Sequence, residues 1–489
     1  MMISVNKIKQ NILDLALRGS LIKQNETDTD SLTTINTILK IQAELKRTDK
    51  RIKYLETLPI GDDVPYNLPQ KWSWIRIGQI EEINLGFTYR PEYVQEGVYF
   101  LSVKDITGGI IDFNSAKKVS VKTYEEASYG SKPKKGDILF GRVCTMGKPQ
   151  IIQTDEPFCI FVSLGFFRDH TNIVNKKYIC YWMESKLFDR QVDLNVGGVC
   201  QKNLNTGWLK NFYIPFPPIE EQERIVAKLD EIFAELDKID ENQTRLANIQ
   251  EKMEAKILKL AIQGKLVEQR PEEGTGEELF KLIQEEKQEL IKQGKIKKEK
   301  PLPTIGEDEI PFEIPSTWKW VRLSDICEIP ITDGTHQTPT YSTKDEGVPF
   351  ISSKDVTTKV INWNNIKYIT KDLHKELYKR IAPQKNDILL AKNGTTGVAA
   401  LVEDDKVFDI YVTLAVLRPT RNLMYPKYLL NVVNSPVCKE QFDEHLIGIG
   451  LPNLHLNVIK EVMIPLPPFE EQKRIVAKLD ELISLCRSN

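Results

Sequence analysis

The sequence predicts an α+β protein in which two mixed α/β domains are separated by two long antiparallel coiled-coil helical regions. The whole forms a pseudo-two-fold circular repeat. Three observations predict this fold class: a stretch of twenty residues recurs near the end of the chain, each copy leads into apolar residues at coiled-coil spacing, and the repeated segments follow one another in a circular order.

The recurring stretch, IPFPPIEEQERIVAKLDEIF at residues 214–233, returns as IPLPPFEEQKRIVAKLDELI at residues 464–483. The two copies share fifteen of twenty residues without a gap. Their prolines disfavour a central strand or a helix interior, so they predict the exit from a domain. Glu220, Glu221 and Glu223 then place negative charge in a first helical turn, where the helix dipole favours it.

The helix that follows carries apolar residues at alternating spacings of four and three, which predicts a coiled-coil seam. A helix over residues 218–268 would be roughly 75 Å long. We expect the seam to pack against another helix rather than to carry chemistry. Its predicted residues are Ile225, Leu229, Ile232, Leu236, Ile239, Leu246, Ile249, Met253, Ile257 and Leu260.

The order of the other repeated segments makes the repeat circular. ILDLALRGSLIKQN at 12–25 resembles ILKLAIQGKLVEQR at 257–270, and a second helix at about 32–55 resembles residues 276–292. The last helix starts like the central one but stops at Cys486, and the N-terminal helix supplies the matching second half. We therefore expect that deleting residues 1–25 damages the C-terminal helix and partner docking more than either globular domain.

These patterns divide the chain into five segments. In the two globular segments, short β-branched or aromatic runs bounded by Gly, Asn and Asp predict strands with a few helices. The segments are an N-terminal helical region at 1–58 that completes the distal helical region, a mixed domain at 59–216, a central helical region at 217–304, a second mixed domain at 305–465 and the distal helix at 466–489.

Composition narrows the functional class. A hydrophobic content of 41% supports real cores, and a formal net charge of −2 gives no global sign of nucleic-acid binding. No apolar run approaches the ~20 residues that a membrane span needs, and the N-terminus is polar, so we expect a cytoplasmic protein. The seven cysteines are widely spaced without a CxxC pair, which favours reduced thiols over a disulfide framework or a metal site.

The duplicated domain exit, the RGSLIKQ and QGKLVEQ helix ends and two dissimilar domains of similar size resemble the specificity (S) subunit of Type I restriction–modification systems. The resemblance covers essentially the whole chain. It implies a DNA-binding subunit whose two variable domains are target recognition domains, each reading one half of a bipartite asymmetric sequence. The coiled coil would set the spacer and dock the partners.

The same resemblance assigns the chemistry to other subunits. It implies a non-catalytic chain that binds double-stranded DNA, two methyltransferase (M) subunits and up to two restriction (R) subunits. The complex would methylate adenine and cleave DNA, so AdoMet, ATP and Mg²⁺ are expected on the partners, with no cofactor or metal here. Because both globular domains are close to neutral, we expect weak DNA binding by this chain alone, with M subunits supplying much of the attraction to phosphates.

Candidate DNA contacts lie in loops at matched places of the two domains, where polar side chains can reach phosphates and base edges. One pair of loops comes early in each domain, and TDGTHQTPTY at 332–341 resembles a segment common in these recognition domains. The segment at 332–341 could equally be a plain turn rich in Asx and Thr caps. The candidates are Tyr89 and Arg90 in the first domain and Thr332, Asp333, Thr335, His336 and Gln337 in the second.

Three further pairs of matched segments supply the other candidates. The structural alternatives are a strand end with a surface Lys–Asp pair, a β-hairpin turn and an asparagine cap, respectively. In the second pair, Arg142 would bind a guanine through two hydrogen bonds. The pairs are Ser102 and Lys104 with Ser352 and Lys354; Arg142, Thr145 and Lys148 with Lys392, Asn393 and Thr396; and Gln201, Lys202 and Asn203 with Asn453.

Two other functions are alternatives to DNA recognition. A methyltransferase or nuclease is disfavoured, because Phe216 and Leu466 stand where an amino-methyltransferase motif needs Asn or Asp before its prolines. GRVCTMGKP at 141–149 has the wrong spacing for a phosphate-binding P-loop, and Pro149 replaces its Ser or Thr. A coiled-coil scaffold that binds proteins without DNA specificity stays open, since the net charge is almost neutral.

Overall fold

A computed structural model describes residues 4–106, 109–142, 149–195, 204–446 and 453–487. The chain divides into two compact units, Met1–Thr244 and Arg245–Asn489. Each unit contains helices together with three small sheets, which confirms the predicted α+β class with two mixed domains.

In the described residues, the first unit builds its sheets from nine strands. Its helices are α1 (Val5–Leu17), α2 (Ser31–Thr48), α3 (Val121–Glu126), α4 (Lys176–Met183), α5 (Lys186–Asn195), α6 (Thr206–Leu209) and the first part of α7 (Ile219–Ile262). Its strands are β1 (Ser73–Arg76), β2 (Glu82–Leu85), β3 (Val98–Leu101), β4 (Lys117–Val119), β5 (Ile138–Gly141), β6 (Gln150–Ile151), β7 (Phe158–Ile160), β8 (Leu164–Arg168) and β9 (Tyr213–Phe216). The sheet orders are β1-β9, β2-β8-β5-β6 and β4-β3-β7.

The second unit repeats this plan. Besides the end of α7, its helices are α8 (Gly276–Lys292), α9 (Lys371–Arg380), α10 (Pro426–Val433), α11 (Pro436–Glu444), α12 (Leu456–Glu461) and α13 (Phe469–Arg487). Its strands are β10 (Lys319–Arg322), β11 (Thr332–Asp333), β12 (Val348–Ile351), β13 (Lys367–Ile369), β14 (Ile388–Ala391), β15 (Ala399–Leu401), β16 (Asp409–Ile410), β17 (Leu414–Leu417) and β18 (Met463–Leu466). The orders β10-β18, β11-β17-β14-β15 and β13-β12-β16 match those of the first unit strand for strand.

The proline-rich exits lie in strands. Pro215 belongs to β9 and Pro465 to β18, and across the part of the chain that the structure describes each strand pairs with one antiparallel neighbour in a two-stranded sheet. Such a position tolerates a residue that lacks an N–H donor. The hydroxyl of Tyr178 donates to the carbonyl oxygen of Pro215 at 2.8 Å, and Tyr428 does the same to Pro465 at 2.9 Å. Both exits are thus anchored to a buried tyrosine.

Glycine ends the two repeated helices α1 and α7. Gly19 and Gly264 both have φ of +70°, and the residue after each donates its backbone N–H to a carbonyl of the preceding turn. This geometry is a Schellman cap, which glycine adopts without a Cβ penalty. The caps end α1 at Leu17 and α7 at Ile262, whereas the sequence predicts that the central helix continues to residue 268.

Each unit pairs part of α7 with an antiparallel terminal helix. In the first unit, Lys9 Nζ on α1 lies 2.5 Å from Asp237 Oδ1 on α7. In the second, Arg487 Nε on α13 lies 2.7 Å from Glu254 Oε1 on α7. These two pairs occupy equivalent places in the repeat, but the acid and the base are exchanged. The scaffold is therefore repeated in geometry while its surface charges differ.

The predicted seam of α7 is buried at Ile225, Leu229 and Leu236 and only half-buried at Ile257 and Leu260. Ile225 and Leu229 are 0% and 1% exposed, whereas Leu246, Ile249 and Met253 are 48%, 44% and 47% exposed, and Ile239 is 39% exposed. Burial of the middle of the predicted seam is therefore wrong. At 1.5 Å per residue, α7 is about 66 Å long and α1 and α13 are about 20 and about 28 Å, so the two terminal helices together are shorter than α7.

Helix α1 is part of the core of the first unit. Leu13, Ala16 and Leu17 are each at most 2% exposed and belong to the apolar cluster that contains Trp182 and Leu229. This position contradicts the expectation that deleting residues 1–25 damages the C-terminal helix more than either globular domain. Completion of the distal helical region by residues 1–58 stays a prediction. Among the described residues, no helix is long and apolar enough to cross a membrane.

Glu81 is an unusual buried acid of the first unit. It is 1% exposed, and within the described part of the chain neither of its carboxylate oxygens has a hydrogen-bond partner. Burial, and then the nearby Asp169, raise the pKa of Glu81 well above its usual range, against a smaller opposing effect of Lys176. At the equivalent place in the second unit stands Cys327, which is also buried.

The raised pKa of Glu81 predicts that the first unit loses stability as pH rises. Because the folded-state pKa is raised, the stabilisation is complete below the ordinary carboxyl pKa and is lost as pH rises through the folded-state value. We expect Glu81→Gln to remove this component of the pH dependence. Pulse proteolysis in urea from pH 5 to 9, with mass spectrometry of peptides from each unit, measures it, and the second unit is the internal control. Equal pH dependence in wild type and variant would contradict the prediction.

Candidate nucleic-acid interface

In the second unit, three loops meet at one edge of the sheets. Backbone groups of residues 411–413 join them: the N–H of Tyr411 donates to Ile351 at the end of β12, and the N–H of Val412 donates to Thr335 after β11. Thr413 accepts from the N–H of Lys392 after β14 at 2.8 Å. We call these loops, residues 334–338, 352–355 and 392–397, together with 411–413, the loop edge of the second unit.

The first unit has the same edge. Phe161 donates its N–H to Leu101 at 2.8 Å, Val162 donates to Phe87 at 2.8 Å, and Arg142 donates to Ser163 at 2.9 Å. Its described part comprises residues 86–90, 102–105, 142 and 161–163. Five predicted contacts lie outside the described residues: Thr145, Lys148, Gln201, Lys202 and Asn203.

A glycine brings the first loop onto the edge in both units. A Cβ at Gly86 would lie 2.2 Å from the carbonyl oxygen of Ile160, and one at Gly334 would lie 2.0 Å from that of Ile410. Only glycine allows this approach of two backbones. The early loops, which the sequence matched only by position, therefore share one backbone anchor although the side chains after the glycine differ completely.

The serines of the second loop hold its turn. The N–H and hydroxyl of Ser102 donate to Asp105 Oδ2 at 2.7 and 2.9 Å, and Ser352 does the same to Asp355 at 2.9 and 3.1 Å. These contacts favour the structural alternative, a strand end, for both serines. The neighbouring Lys104 and Lys354 are exposed beside the same aspartates, and DNA contact by these four residues stays a prediction.

Arg142 lies inside the first unit. Its side chain donates from Nε to Leu204 O at 2.9 Å and from Nη1 to Val162 O at 2.7 Å, and the residue is 7% exposed. Burial lowers the pKa of Arg142, because a charged guanidinium loses solvation there. These contacts engage the guanidinium within the unit, and binding of a guanine by Arg142 stays a prediction. The sequence predicted an exposed turn after β5, but the chain folds Leu204 over it.

Asp333 and Lys392 also lie in the interior. Lys392 Nζ is 2.5 Å from Asp333 Oδ2, and their side chains are 7% and 2% exposed. A buried pair of this kind holds β11 to the end of β14. Each of the two satisfies the other's charge in a site that excludes water, and DNA contact by Asp333 and Lys392 stays a prediction.

Other predicted residues remain at the open side of the edge. His336 and Gln337 follow Gly334 and are exposed, as are Tyr89 and Arg90 in the first unit. Thr335 is buried, and its Oγ1 accepts the N–H of Gln337 at 3.2 Å. Thr332 is half-buried within β11, and the half-buried Asn393, Thr396 and Asn453 lie around the loop after β14, where Asn393 and Asn453 form a β-bridge. DNA contact by these residues stays a prediction.

Arg380 is an exposed cation beside this edge that is not among the residues predicted from the sequence. It ends α9, its side chain is 48% exposed, and its Nη2 lies 3.1 Å from Asp333 Oδ1. A signal was present in the sequence, because α9 ends in Lys379 and Arg380 while the first unit has Gly130 at the place of Arg380. A difference of this kind between matched positions of a repeated scaffold indicates that the position has a different role in each unit.

The described residues hold no group of three His, Cys, Asp or Glu that could bind a metal ion. The loop edges present exposed hydrogen-bond donors and cations. In the second unit, the buried ion pair of Asp333 and Lys392 lies beneath them. Groups of this kind position phosphates and read bases without performing covalent chemistry.

Residues 69–249 and 315–488 match the family described as Type I restriction modification DNA specificity domain. The chain is similar to the Type I restriction enzyme EcoAI specificity subunit of Escherichia coli, with 26% identity over 99% of this chain and 89% of the relative. It is also similar to the EcoEI specificity subunit of Escherichia coli, with 24% identity over the same shares. A chain solved in a study of complex assembly and conformational transition of the type I R-M system is similar in fold, with a TM-score of 0.54 at 19% identity over 86% of this chain and 92% of that one.

Proposed function

Because the chain belongs to the family of Type I restriction–modification DNA specificity proteins, we propose that each of its units reads one half of a bipartite, asymmetric DNA target. The chain is a specificity subunit with two target recognition domains. The observation that carries the proposal is a scaffold repeated strand for strand under loop edges whose side chains differ. Two domains that share a topology but present different side chains at their loop edges recognise two different half-site sequences.

We assign the recognition domains to residues 59–216 and 305–465 and the helical regions to 1–58, 217–304 and 466–489. Helix α7 sets the spacer between the half-sites, and two M subunits dock on the helical regions. The exposed apolar residues Leu246, Ile249 and Met253 support such docking, since a helix face of this kind favours a protein partner.

The chain is non-catalytic in this proposal, and its partners carry the cofactors. M subunits bring AdoMet for adenine methylation, and up to two R subunits bring ATP, Mg²⁺ and nuclease activity. Double-stranded DNA is the shared ligand. A coiled-coil scaffold without DNA specificity is not favoured, since the matched family is defined by DNA specificity.

The test is methylation mapping of the complex that copurifies with an M subunit. We expect methylation of one split sequence, and we expect exchange of residues 59–216 for those of another specificity subunit to change one half of it only. The matched control exchanges residues 305–465 and should change the other half. A methylated sequence that is unaffected by either exchange would refute the proposal.

A further inference from the structure

Asp333 organises a charge cluster at the loop edge of the second unit. Its Oδ2 lies 2.5 Å from Lys392 Nζ, while its Oδ1 lies 3.1 Å from Arg380 Nη2 and 3.2 Å from His336 Nε2. Burial by itself raises the pKa of Asp333, but the hydrogen bonds from Lys392 and His336 outweigh it and lower the pKa below its usual value. The group is therefore a carboxylate that holds three basic side chains.

The cluster has an inner and an outer part. Asp333 and Lys392 are buried and cancel each other's charge, whereas the side chains of Arg380 and His336 are 48% and 63% exposed. The contact with Asp333 uses one of the five N–H donors of the Arg380 guanidinium. An exposed, oriented guanidinium of this kind fits a phosphate, which it binds by charge-assisted hydrogen bonds.

The first unit has different residues at these positions. Leu85 takes the place of Asp333 in the strand pairing, Gly130 takes that of Arg380, and Arg142 replaces Lys392. Arg142 binds the carbonyl oxygens of Leu204 and Val162 instead of a carboxylate. The repeated scaffold does not need the cluster, so a role in folding alone does not explain it.

We propose that Arg380 contacts a DNA phosphate in the half-site read by the second unit, and that Asp333 is the positioning residue that holds its guanidinium for this contact. The inference rests on the proposed function and deepens it. The contact adds affinity and fixes the register of the second unit on its half-site without reading a base. It has no counterpart at Gly130 of the first unit.

The test uses the complex with M subunits and the target found by methylation mapping. Duplexes that each carry one neutral methylphosphonate are compared by fluorescence anisotropy. We expect Arg380→Gln to weaken binding about tenfold and to reduce the slope of log K against log salt by about 1. We also expect it to abolish the wild-type response to one methylphosphonate in the second half-site. The matched control is Lys379→Gln, the same charge change at the neighbouring exposed residue.

Asp333→Asn separates positioning from general electrostatics. Removing a negative charge near DNA strengthens binding by electrostatics alone, whereas loss of positioning weakens it and abolishes the same methylphosphonate response. Stronger binding with that response intact would overturn the role of Asp333. If Arg380→Gln keeps the wild-type response at every phosphate, or behaves like Lys379→Gln, the contact is refuted while the proposed function stands. A complex that methylates no bipartite sequence would overturn both.

Discussion

Deletion of residues 1–25 is expected to unfold the first unit while the second unit keeps its fold. The deletion removes Leu13, Ala16 and Leu17 from the core that contains Trp182. It also removes Lys9, which pairs with Asp237 on α7. Truncating one buried leucine to alanine costs about 2–5 kcal/mol, so losing the whole buried face exceeds the stability of an ordinary domain.

Point variants of α1 give a graded form of the same result. Leu13→Ala should destabilise the first unit by about 2–5 kcal/mol, since the residue is 1% exposed. Leu15→Ala is the matched control: it makes the same chemical change on the same helix at a residue that is 45% exposed, so a loss below about 0.5 kcal/mol is expected.

Hydrogen exchange with mass spectrometry reads both units in one experiment. We expect loss of protection in β2, β5 and β8 with protection of β11, β14 and β17 retained. Greater loss in α13 than in the first unit would restore the view, taken from the sequence, that the N-terminal helix serves mainly the C-terminal one. In the structure, α13 packs in its own unit, where Arg474 binds Glu273 at 2.7 Å.

The second large effect is expected from Arg168→Ala. Arg168 Nη2 lies 2.5 Å from Asp137 Oδ2, with side-chain exposures of 2% and 4%. Arg168 also donates to the carbonyl oxygen of Lys132 at 2.9 Å, which ties β8 to the segment before β5. Without the guanidinium, Asp137 becomes an unpaired buried charge, and the expected loss is about 3–5 kcal/mol in the first unit.

A double variant separates the cost of a buried charge from the value of the pair. Arg168→Met with Asp137→Leu removes both charges and should lose less stability than Arg168→Ala alone. Urea pulse proteolysis with peptide detection for each unit measures both variants. The equivalent pair Arg418–Asp387, 2.7 Å apart in the second unit, is untouched and provides the internal reference. An equal or larger loss in the double variant would contradict the argument.

The sequence by itself determined the repeated scaffold. The spacing of apolar residues and the proline exits are local, so each can be read within one turn or one strand. The same local patterns align the segment around β5 with the segment around β14, and they predict the loops that meet at the two loop edges.

Only the tertiary structure decided which residues of those loops are available to a ligand. Asp333 and Lys392 are 59 residues apart and Arg142 and Leu204 are 62 apart, so their burial depends on contacts between distant segments. The position of α1 depends likewise on α4 and α7, far along the chain. A basic residue in a loop has the same local pattern whether it faces solvent or a buried partner, and folding of distant segments decides between the two.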